Sequence, residues 1–405
     1  MNQVNEKSIR YKLDSKDKPR QWQCWYSTDS TGVWGIFTTD GLVGGNIKDP
    51  VFKASKEKNL GKVNYMSCEM QAQVMQAQEV GKKERSGYYT TLEEAENNKI
   101  FLPTGCPSGM VWEEYKDKNH IVYPALASGK LDGSKMLSMQ REGRTYLSTR
   151  SGKEHMNFEH IQESLDKFYE EFPNIVLDGE AYNHEYADRF EDLQSIFRKQ
   201  KPTAEQKQVS KDIAKFYIYD VVDKDQPNMT ADERQDLLRE LFDKYLFENE
   251  YLVYWPSYWV HSEEEYDVFH EGCMDDGYEG SVLKIADQPY RNNKNKYVMK
   301  RKPKFDCEFK ILEVIEGEGT ASGTAQKMTI DITSPAGMNT NHQALLVGTT
   351  QEAGMASGWD HAKLTKMLGE PEEYIGYMGT IEYGGITKHG KLRFPKFKSR
   401  RDGMD

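Results

Sequence analysis

The chain lacks several features that would assign it to whole classes of protein. No apolar run approaches the roughly 18 residues that a membrane-spanning helix needs, so no transmembrane segment is expected. The opening MNQVNEKSIRYKLDSKDK contains no apolar stretch, so no secretory signal is expected and a cytoplasmic location is predicted. The five cysteines are scattered and include no C-x-x-C pair, which argues against structural disulfides and against a cysteine zinc site.

What is present is the composition of a large globular protein. A chain of 405 residues is long enough for two or three domains with buried cores. The formal net charge of −11 argues against a general coat for nucleic acids, because phosphate contacts require lysine and arginine. The stretches 294–310 and 388–401 are nevertheless strongly basic. A basic channel on an acidic body is compatible with DNA binding, so the net charge does not decide the matter.

A series of short polar motifs follows in one fixed order. The first, Lys130-Leu131-Asp132-Gly133, comes after the apolar run 121–127 and is therefore predicted at the end of a buried strand. The later motifs are TRSG at 149–152, LDGE at 177–180, FYIYD at 216–220, EGSVLK at 279–284, KRK at 300–302 and LRFP at 392–395. Each motif alone has an ordinary structural explanation and a high false-positive rate. Their joint order favours a function.

This ordered series resembles that of the covalent nucleotidyltransferases, and most closely the ATP-dependent DNA ligases of the bacteriophage type. The resemblance covers about residues 100–405. It implies ATP and Mg²⁺ as cofactors, nicked double-stranded DNA as the partner, a monomer, and work in DNA repair, replication and recombination. A phage origin would place the protein in the host cytoplasm. The lack of the four-cysteine zinc module of NAD-dependent bacterial ligases also favours ATP.

Lys130 is the predicted nucleophile. A lysine that takes up AMP must lose its proton often enough to attack, because only the free amine has a lone pair. Gly129 and Gly133 are expected to allow a nucleotide to approach closely. Lys300 and Lys302 are expected to crowd Lys130 with positive charge, which favours the neutral amine.

The resemblance also implies roles for other residues. Lys130 would form the phosphoramide bond to AMP, Arg150 and Glu180 would contact the ribose, and Tyr219 would stack on adenine. The remaining residues expected to bind the cofactor are Leu131, Lys135, Lys284, Lys294, Lys300 and Lys302. Glu279, helped by Asp132, would hold Mg²⁺. The residues expected to bind DNA are Lys135, Arg393, Lys396 and Arg401.

The sequence departs from the family pattern at two places. Lys135 stands where relatives usually carry arginine; lysine keeps the charge but loses the two-pronged contact to phosphate. Near the C-terminus, many cellular ligases have an R-x-D-K motif, but 401–404 read Arg-Asp-Gly-Met. Lys398 or Arg400 is the candidate to replace the missing lysine.

The chain is predicted to be an α+β protein with three domains. Residues 1–95 form a small αβ module that loosely resembles WGR-type nucleic-acid-binding modules, 96–303 a nucleotidyltransferase (adenylation) domain, and 304–405 an OB-fold barrel. The elements predicted most directly are helices near 69–80 and 158–168 and strands at 175–177, 216–222 and 309–314. The glycine-rich stretch 317–327 is expected to be a mobile connection, and 302–306 a hinge.

Three alternatives remain open at this point. An RNA-end ligase is possible because Ser134 after Asp132-Gly133 also occurs in RNA ligase motifs. An mRNA-capping guanylyltransferase shares the motif lysine but uses GTP. A nick-binding protein without ligase activity is the nonenzymatic alternative. The strings LRFPKF and DGEA favour a DNA ligase over the two other enzymes.

Overall fold

The computed structural model describes residues 7–14, 18–97, 110–116, 121–291, 296–317, 321–387 and 389–401. They form two compact units, Met1–Arg301 and Lys302–Asp405. The boundary between the units lies two residues before the predicted limit at 303/304, and the predicted limit at 95/96 falls inside the first unit. The three-domain division therefore stays a prediction. None of the helices in these described ranges could span a membrane.

The first unit begins with a four-stranded antiparallel sheet, in the order β1-β2-β3-β4. Its strands are β1 Ser8–Leu13, β2 Pro19–Thr28, β3 Trp34–Leu42 and β4 Val51–Ala54. Helix α1, Cys68–Arg85, covers one face of this sheet, where Trp22, Cys24 and Ile36 form a small buried core with partly buried neighbours on the helix. Ser67 begins the helix by accepting a hydrogen bond from the backbone of Met70. Helix α2, Leu92–Asn97, lies beside β1.

Two five-stranded sheets form the rest of the first unit. We call them the first and the second central sheet. The second contains β5 Met110–Val111 and β6 Ala125–Lys130. The first contains β7 Ser134–Arg141, β8 Arg144–Ser148, β9 Ile175–Tyr182 and β10 Lys215–Asp223. The later strands are β11 Leu252–Tyr254 in the first central sheet and β12 Tyr258–Val260, β13 Gly280–Ile285 and β14 Val298–Arg301 in the second. The strand orders are β11-β10-β9-β7-β8 and β12-β6-β13-β14-β5.

Helices cover the two central sheets. They are α3 Trp112–Tyr115, α4 Glu159–Glu171, α5 Phe190–Phe197, α6 Ala204–Ile213, α7 Ala231–Leu241 and α8 Glu263–Asp275, with a 3₁₀ turn at His184–Arg189 and a π turn at Phe242–Leu246. Helix α4 buries Ile161, Leu165 and Phe168, which recur at helical spacing, in the core of the first central sheet. Helix α8 packs on β6 and β13 of the second central sheet.

The second unit is a closed barrel with the strand order β15-β16-β17-β19-β18. Its strands are β15 Phe305–Glu316, β16 Ala325–Ala336, β17 Thr350–Met355, β18 Met378–Tyr383 and β19 Lys396–Arg401. Helices α9 Thr340–Leu345 and α10 His361–Gly369 and a 3₁₀ turn at Pro371–Glu373 complete the unit. Phe309, Ile330, Ile381 and Phe397 are fully buried in its core.

The elements that the sequence predicts are present, with shifted limits. The helix predicted at 69–80 is α1 and the one at 158–168 is α4, while the strands at 175–177, 216–222 and 309–314 are parts of β9, β10 and β15. The glycine-rich stretch after Glu316 joins two antiparallel strands, and the Glu316 carboxylate accepts hydrogen bonds from Ser322 and Gly323 in that connection. Residues 318–320 of this stretch lie outside the described residues.

Candidate active site

Lys130 lies at the last position of β6, as predicted, and its backbone is fixed on both sides. The carbonyl of Lys130 accepts a hydrogen bond from the N–H of Glu279 at 3.0 Å, next to the antiparallel pairing of β6 with β13. The preceding carbonyl, of Gly129, accepts one from the Trp255 indole at 2.9 Å. The strand end therefore holds the motif lysine in a defined place.

The Lys130 ammonium group contacts a carboxylate. It forms an ion pair with Glu279 and donates a second hydrogen bond to the carbonyl of Leu131 at 3.3 Å. Only 15% of the Lys130 side chain and 10% of the Glu279 side chain are exposed. Lys300, one of the two lysines expected to crowd Lys130, lines the same pocket, but the charged group in contact with the amine is the Glu279 carboxylate.

A pocket that opens to solvent surrounds Lys130. Seven of the ten residues predicted to bind the cofactor line it, namely Lys130, Leu131, Arg150, Glu180, Tyr219, Lys284 and Lys300. The lysines come from the second central sheet, while Glu180 and Tyr219 come from β9 and β10 of the first. The pocket is completed by Ser128, Gly129, Val282 and Val298, so its charged groups stand beside small and apolar side chains.

The Tyr219 side chain is directed by an irregularity in its strand. The register between β10 and β9 shifts between Ile218 and Asp220, which leaves Tyr219 at a β-bulge. Its hydroxyl accepts a hydrogen bond from Lys135 at 2.7 Å, and the ammonium groups of Lys135 and Lys284 lie 4.7 and 5.5 Å from the ring centre. Cations near an aromatic face are attracted to it, so the ring is held in place beside the pocket.

Glu180 and Arg150 take the remaining predicted positions in the pocket. Burial raises the pKa of Glu180, while the positive charges of Lys130 and Lys135 act in the opposite direction. Arg150 is exposed and lies in the turn after β8, where the N–H of Thr149 bonds to the carbonyl of Lys153. The site therefore combines a half-buried carboxyl group with an exposed cation.

Two buried aspartates support the pocket, and the sequence reasoning assigned neither to the site. Asp178, on β9, forms an ion pair with Lys135 and accepts a hydrogen bond from Tyr290 at 2.6 Å. Its position two residues before Glu180 on a buried strand places both side chains on one face, which is the signal that was available in the sequence. With this contact, Lys135 is held inside the first unit and only 12% of its side chain is exposed.

Asp220 is the second of these aspartates. It accepts hydrogen bonds from Arg234 at 2.7 Å and from Lys284 at 3.0 Å. Burial opposes the ionisation of Asp220, but the Arg234 and Lys284 charges hold the pKa of its carboxyl well below the usual range. Lys284 also donates to the Tyr219 carbonyl at 3.1 Å, so this ion cluster fixes a pocket lysine.

The two glycines beside Lys130 contact protein. A Cβ on Gly133 would lie 2.3 Å from the Glu180 side chain and 2.7 Å from the Ala181 carbonyl. A Cβ on Gly129, which also lines the pocket, would lie 2.9 Å from the Trp255 ring. The expectation that both glycines make room for a nucleotide is thus incomplete, because each also lets a neighbouring side chain approach the strand.

The other predicted residues lie elsewhere. Asp132 follows β6 and its charge acts on Glu180. Lys294 lies outside the described residues, and Lys302 is the first residue of the second unit. In that unit, Arg401 bonds to Glu308 at 3.0 Å, Lys398 to Asp306 at 3.2 Å, and the Arg400 guanidinium lies 4.9 Å from the Tyr377 ring. Lys396 begins β19, and the Arg393 guanidinium lies 5.5 Å from the Phe394 ring.

The pocket thus combines side chains from both central sheets, with Lys130 at the end of β6 and Lys284 and Lys300 on the neighbouring strands β13 and β14. We compared the chain with protein families, with curated proteins and with solved structures. Residues 117–302 match the family described as the ATP dependent DNA ligase domain. This part of the chain is therefore similar to the ATP-dependent DNA ligase domain, and the match covers a little less than half of the chain.

The curated relatives include viral DNA ligases. The DNA ligase of African swine fever virus, isolate Tick/Malawi/Lil 20-1/1983, is 27% identical over 199 residues. The alignment covers 48% of this chain and 45% of the viral protein, so the chain spans about half the length of the curated relatives it matches.

Two solved structures share the fold. One, named Pmar-Lig_PreS3, has a TM-score of 0.60 at 20% identity and covers 83% of this chain and 74% of its own. Another, described as "DNA binding with a minimal scaffold: Structure-function analysis of Lig E DNA ligases", has a TM-score of 0.54 at 19% identity and covers 73% of this chain and 99% of its own. At these identities the likeness establishes the fold.

Proposed function

We propose that the chain is an ATP-dependent DNA ligase that seals nicks in double-stranded DNA. The observation that carries the proposal is the position of Lys130 at the end of β6, inside a pocket that also contains Arg150, Glu180, Tyr219, Lys284 and Lys300. Adenylyl transfer needs a nucleophile, cations on the phosphate oxygens and a platform for the base, and these residues supply all three.

The reaction would proceed in three steps. The Lys130 amine attacks the α-phosphorus of ATP, so a P–N bond forms while the P–O bond to pyrophosphate breaks. Glu279, in contact with that amine, is placed to accept the proton that it must lose. A 5′-phosphate oxygen of the nick then attacks the adenylate and releases the lysine. Finally the 3′-hydroxyl attacks the 5′-phosphorus, which forms the phosphodiester and releases AMP.

The roles of the pocket residues follow from their chemistry. Tyr219 would stack on adenine and Glu180 and Arg150 would bind the ribose, with Leu131 packing beside the nucleotide. Lys284 and Lys300 would bind the α-phosphate and the leaving pyrophosphate. Lys294 and Lys302 are proposed to add charge to these contacts. Lys135, Arg393, Lys396 and Arg401 are proposed to contact DNA.

We propose Mg²⁺ as a cofactor because this ion is usually bound by one or two carboxylates together with substrate phosphates, and Glu279 contacts Lys130 of the pocket. Glu279 and Asp132 would hold the ion. When bound, it would neutralise charge on the phosphate oxygens.

The second unit is proposed to be an OB-fold. Five strands in a closed barrel, with a basic final strand, support that assignment, because such barrels often grip nucleic-acid backbones. The connection at 302–306 is proposed as the hinge through which this unit would act first on ATP and then on DNA. The whole chain is proposed to act as a monomer.

Incubation with labelled ATP, GTP or NAD tests the proposal. Wild-type protein should form a covalent adduct from ATP, and Lys130→Ala should form none. Lys167→Ala, which removes an exposed lysine of α4, is the matched control and should behave as the wild type. An ATP adduct that survives Lys130→Ala would refute the assignment of the nucleophile.

The purified adduct is then offered nicked DNA or nicked RNA. Sealing of DNA supports a DNA ligase, whereas sealing of RNA alone would identify an RNA-end ligase. An adduct formed from GTP but not from ATP would identify a guanylyltransferase. Binding of nicked DNA without any adduct would leave a nick-binding protein without ligase activity.

A further inference from the structure

The end of helix α1 lies next to the turn that carries Arg150. Gly152, in that turn, has a positive φ of 73°, and a Cβ built on it would lie 3.2 Å from the carbonyl oxygen of Arg85, the last residue of α1. Because Arg150 lines the pocket, the basic end of α1 borders the face on which a substrate reaches that pocket. A long polyanion bound at the pocket could therefore extend onto the N-terminal sheet and its helix.

A cluster of cations surrounds two aromatic rings at this end of α1. The ammonium groups of Lys83 and Lys12 lie 4.8 and 5.7 Å from the centre of the Tyr88 ring, and Lys83 lies 5.2 Å from the Trp22 ring. The charges of Asp40 and Glu79 act on Lys83, followed by those of Lys12 and Arg20, and Arg20 and Asp40 act on Tyr88. Two side chains of like charge are thus brought to one ring, although like charges repel each other.

The nearby carboxylates are already engaged by other cations. Asp40 pairs with Arg20 at 2.7 Å and with Lys48 at 3.2 Å, and Glu79 pairs with Lys82 at 2.6 Å. Within the part of the chain that the structure describes, no ion pair joins a carboxylate to Lys12 or Lys83.

The groups in direct contact with the two ammonium groups are neutral, although the charges of Asp40 and Glu79 reach Lys83 from a greater distance. Lys12 donates to the carbonyl of Ser86 at 2.9 Å, and Lys83 contacts the two rings. Partial burial lowers the pKa of both lysines, so their positive charge is costly as it stands. The cluster thus carries an excess of positive charge that a bound anion would relieve.

We propose that Lys12 and Lys83, with Tyr88 between them, bind a backbone phosphate of the DNA whose nicked end reaches the pocket. A phosphodiester supplies the missing negative charge, and the Tyr88 hydroxyl is a suitable donor to its second oxygen. The contact reads no base, so it would add affinity and register without sequence preference. The inference rests on the proposed function, because it takes DNA to be the polyanion at the pocket.

The test is the salt dependence of binding to a nicked duplex. Each phosphate contact contributes roughly 0.9 to the slope of log K against log salt concentration, so Lys12→Ala/Lys83→Ala should lower the slope by about 1. The control is Lys53→Ala/Lys58→Ala, which removes the same charge from exposed positions at and just beyond β4, the opposite edge of the same sheet. Its slope should equal that of the wild type.

Two outcomes would overturn the proposal: an unchanged slope in the Lys12/Lys83 variant, or an equal fall in both variants, which would indicate a general effect of net charge. Thermal unfolding of both variants shows whether each is folded, and Lys12→Gln/Lys83→Gln replaces the alanine variant if that one is not. Adduct formation and sealing by the wild type test the proposed function separately. If the wild type seals nicks and the slopes do not differ, only the phosphate site fails.

Discussion

His270 is a buried side chain whose protonation the fold opposes. Its ring bonds to the Ser281 hydroxyl at 2.9 Å, and that hydroxyl donates to the Tyr266 oxygen at 2.8 Å. Burial, followed by the charge of Arg301, lowers the pKa of His270 to about 4, with Asp267 acting weakly in the other direction. In the unfolded chain the same ring titrates near its ordinary value of roughly 6.5.

This difference makes stability depend on pH. Between pH 6.5 and 4 the unfolded chain binds a proton that the folded protein does not, so the free energy of unfolding falls as the pH falls. The loss from this one residue should be on the order of 3 kcal/mol and should cease below pH 4. Urea unfolding at a series of pH values measures it. His270→Asn should flatten this part of the curve, and the exposed His261→Asn should not. A curve for His270→Asn as steep as that of the wild type would contradict the assignment.

At the residue scale, the sequence indicated which charged residues belong to the site, but not which residues they contact. The order of the motifs predicted that Lys130, Glu180, Tyr219 and Lys284 belong to one site, and the structure brings these four residues to one pocket. The sequence did not predict that Glu279 would contact the Lys130 amine, since the two residues are 149 positions apart. The roles of Asp178 and Asp220 were not predicted for a related reason. A charged residue inside an apolar strand needs a buried partner, but the residue pattern of one strand does not show which residue of another strand that partner is.

At the scale of elements, close contact between β7 and β9 depends on Gly133. This residue immediately precedes β7, and Glu180 and Ala181 lie where a Cβ would stand. Neither group can move easily, because one is the backbone carbonyl of Ala181 and the other is the Cγ atom of Glu180, close to the backbone of β9. The glycine thus couples the packing of the first central sheet to the position of Glu180.

Gly133→Ala should therefore weaken both stability and nucleotide binding. We expect a loss of about 1–3 kcal/mol, as for other overpacked sites, together with weaker ATP binding because Glu180 must shift. Gly272→Ala is the control: this glycine lies inside α8 with nothing within 4 Å of an added Cβ, so alanine should stabilise the helix by up to about 1 kcal/mol. Unfolding curves of both variants measure the change in stability, and ATP titrations measure the change in affinity. Equal behaviour of the two variants would show that the contact at Gly133 is unimportant.

Elements whose apolar residues repeat regularly were the ones that the sequence predicted well. Helix α4 and the strands β9 and β10 follow from the spacing of residues such as Ile161 and Leu165 and from continuous apolar runs. The bulge at Tyr219 could not be predicted in this way, because it depends on how β10 pairs with β9. Nor could the strand order, since pairings such as β6 with β13 join distant parts of the chain.

At the scale of the whole molecule, the charged pocket and the barrel belong to different units. The lining residues run from Ser128 to Lys300 and all precede the boundary at 301/302. The proposed contacts of Lys302, Arg393 and Arg401 with substrate come from the second unit. The residues that line the charged pocket therefore lie in one unit, and several of the residues proposed to contact substrate lie in the other.

The barrel should fold without the rest of the chain. Its sheet is closed, so no strand edge is left open for pairing, and its core residues, among them Phe309, Ile330 and Phe397, all lie within 302–405. Residues 302–405 expressed alone should therefore unfold cooperatively on heating, with buried-core protection in amide hydrogen exchange. Phe309→Ala, which empties a fully buried position, should cost about 3–5 kcal/mol in this fragment, whereas Leu312→Ala, at an exposed position of the same strand, should cost far less. A fragment that melts without cooperativity would mean that the barrel needs the first unit for its stability.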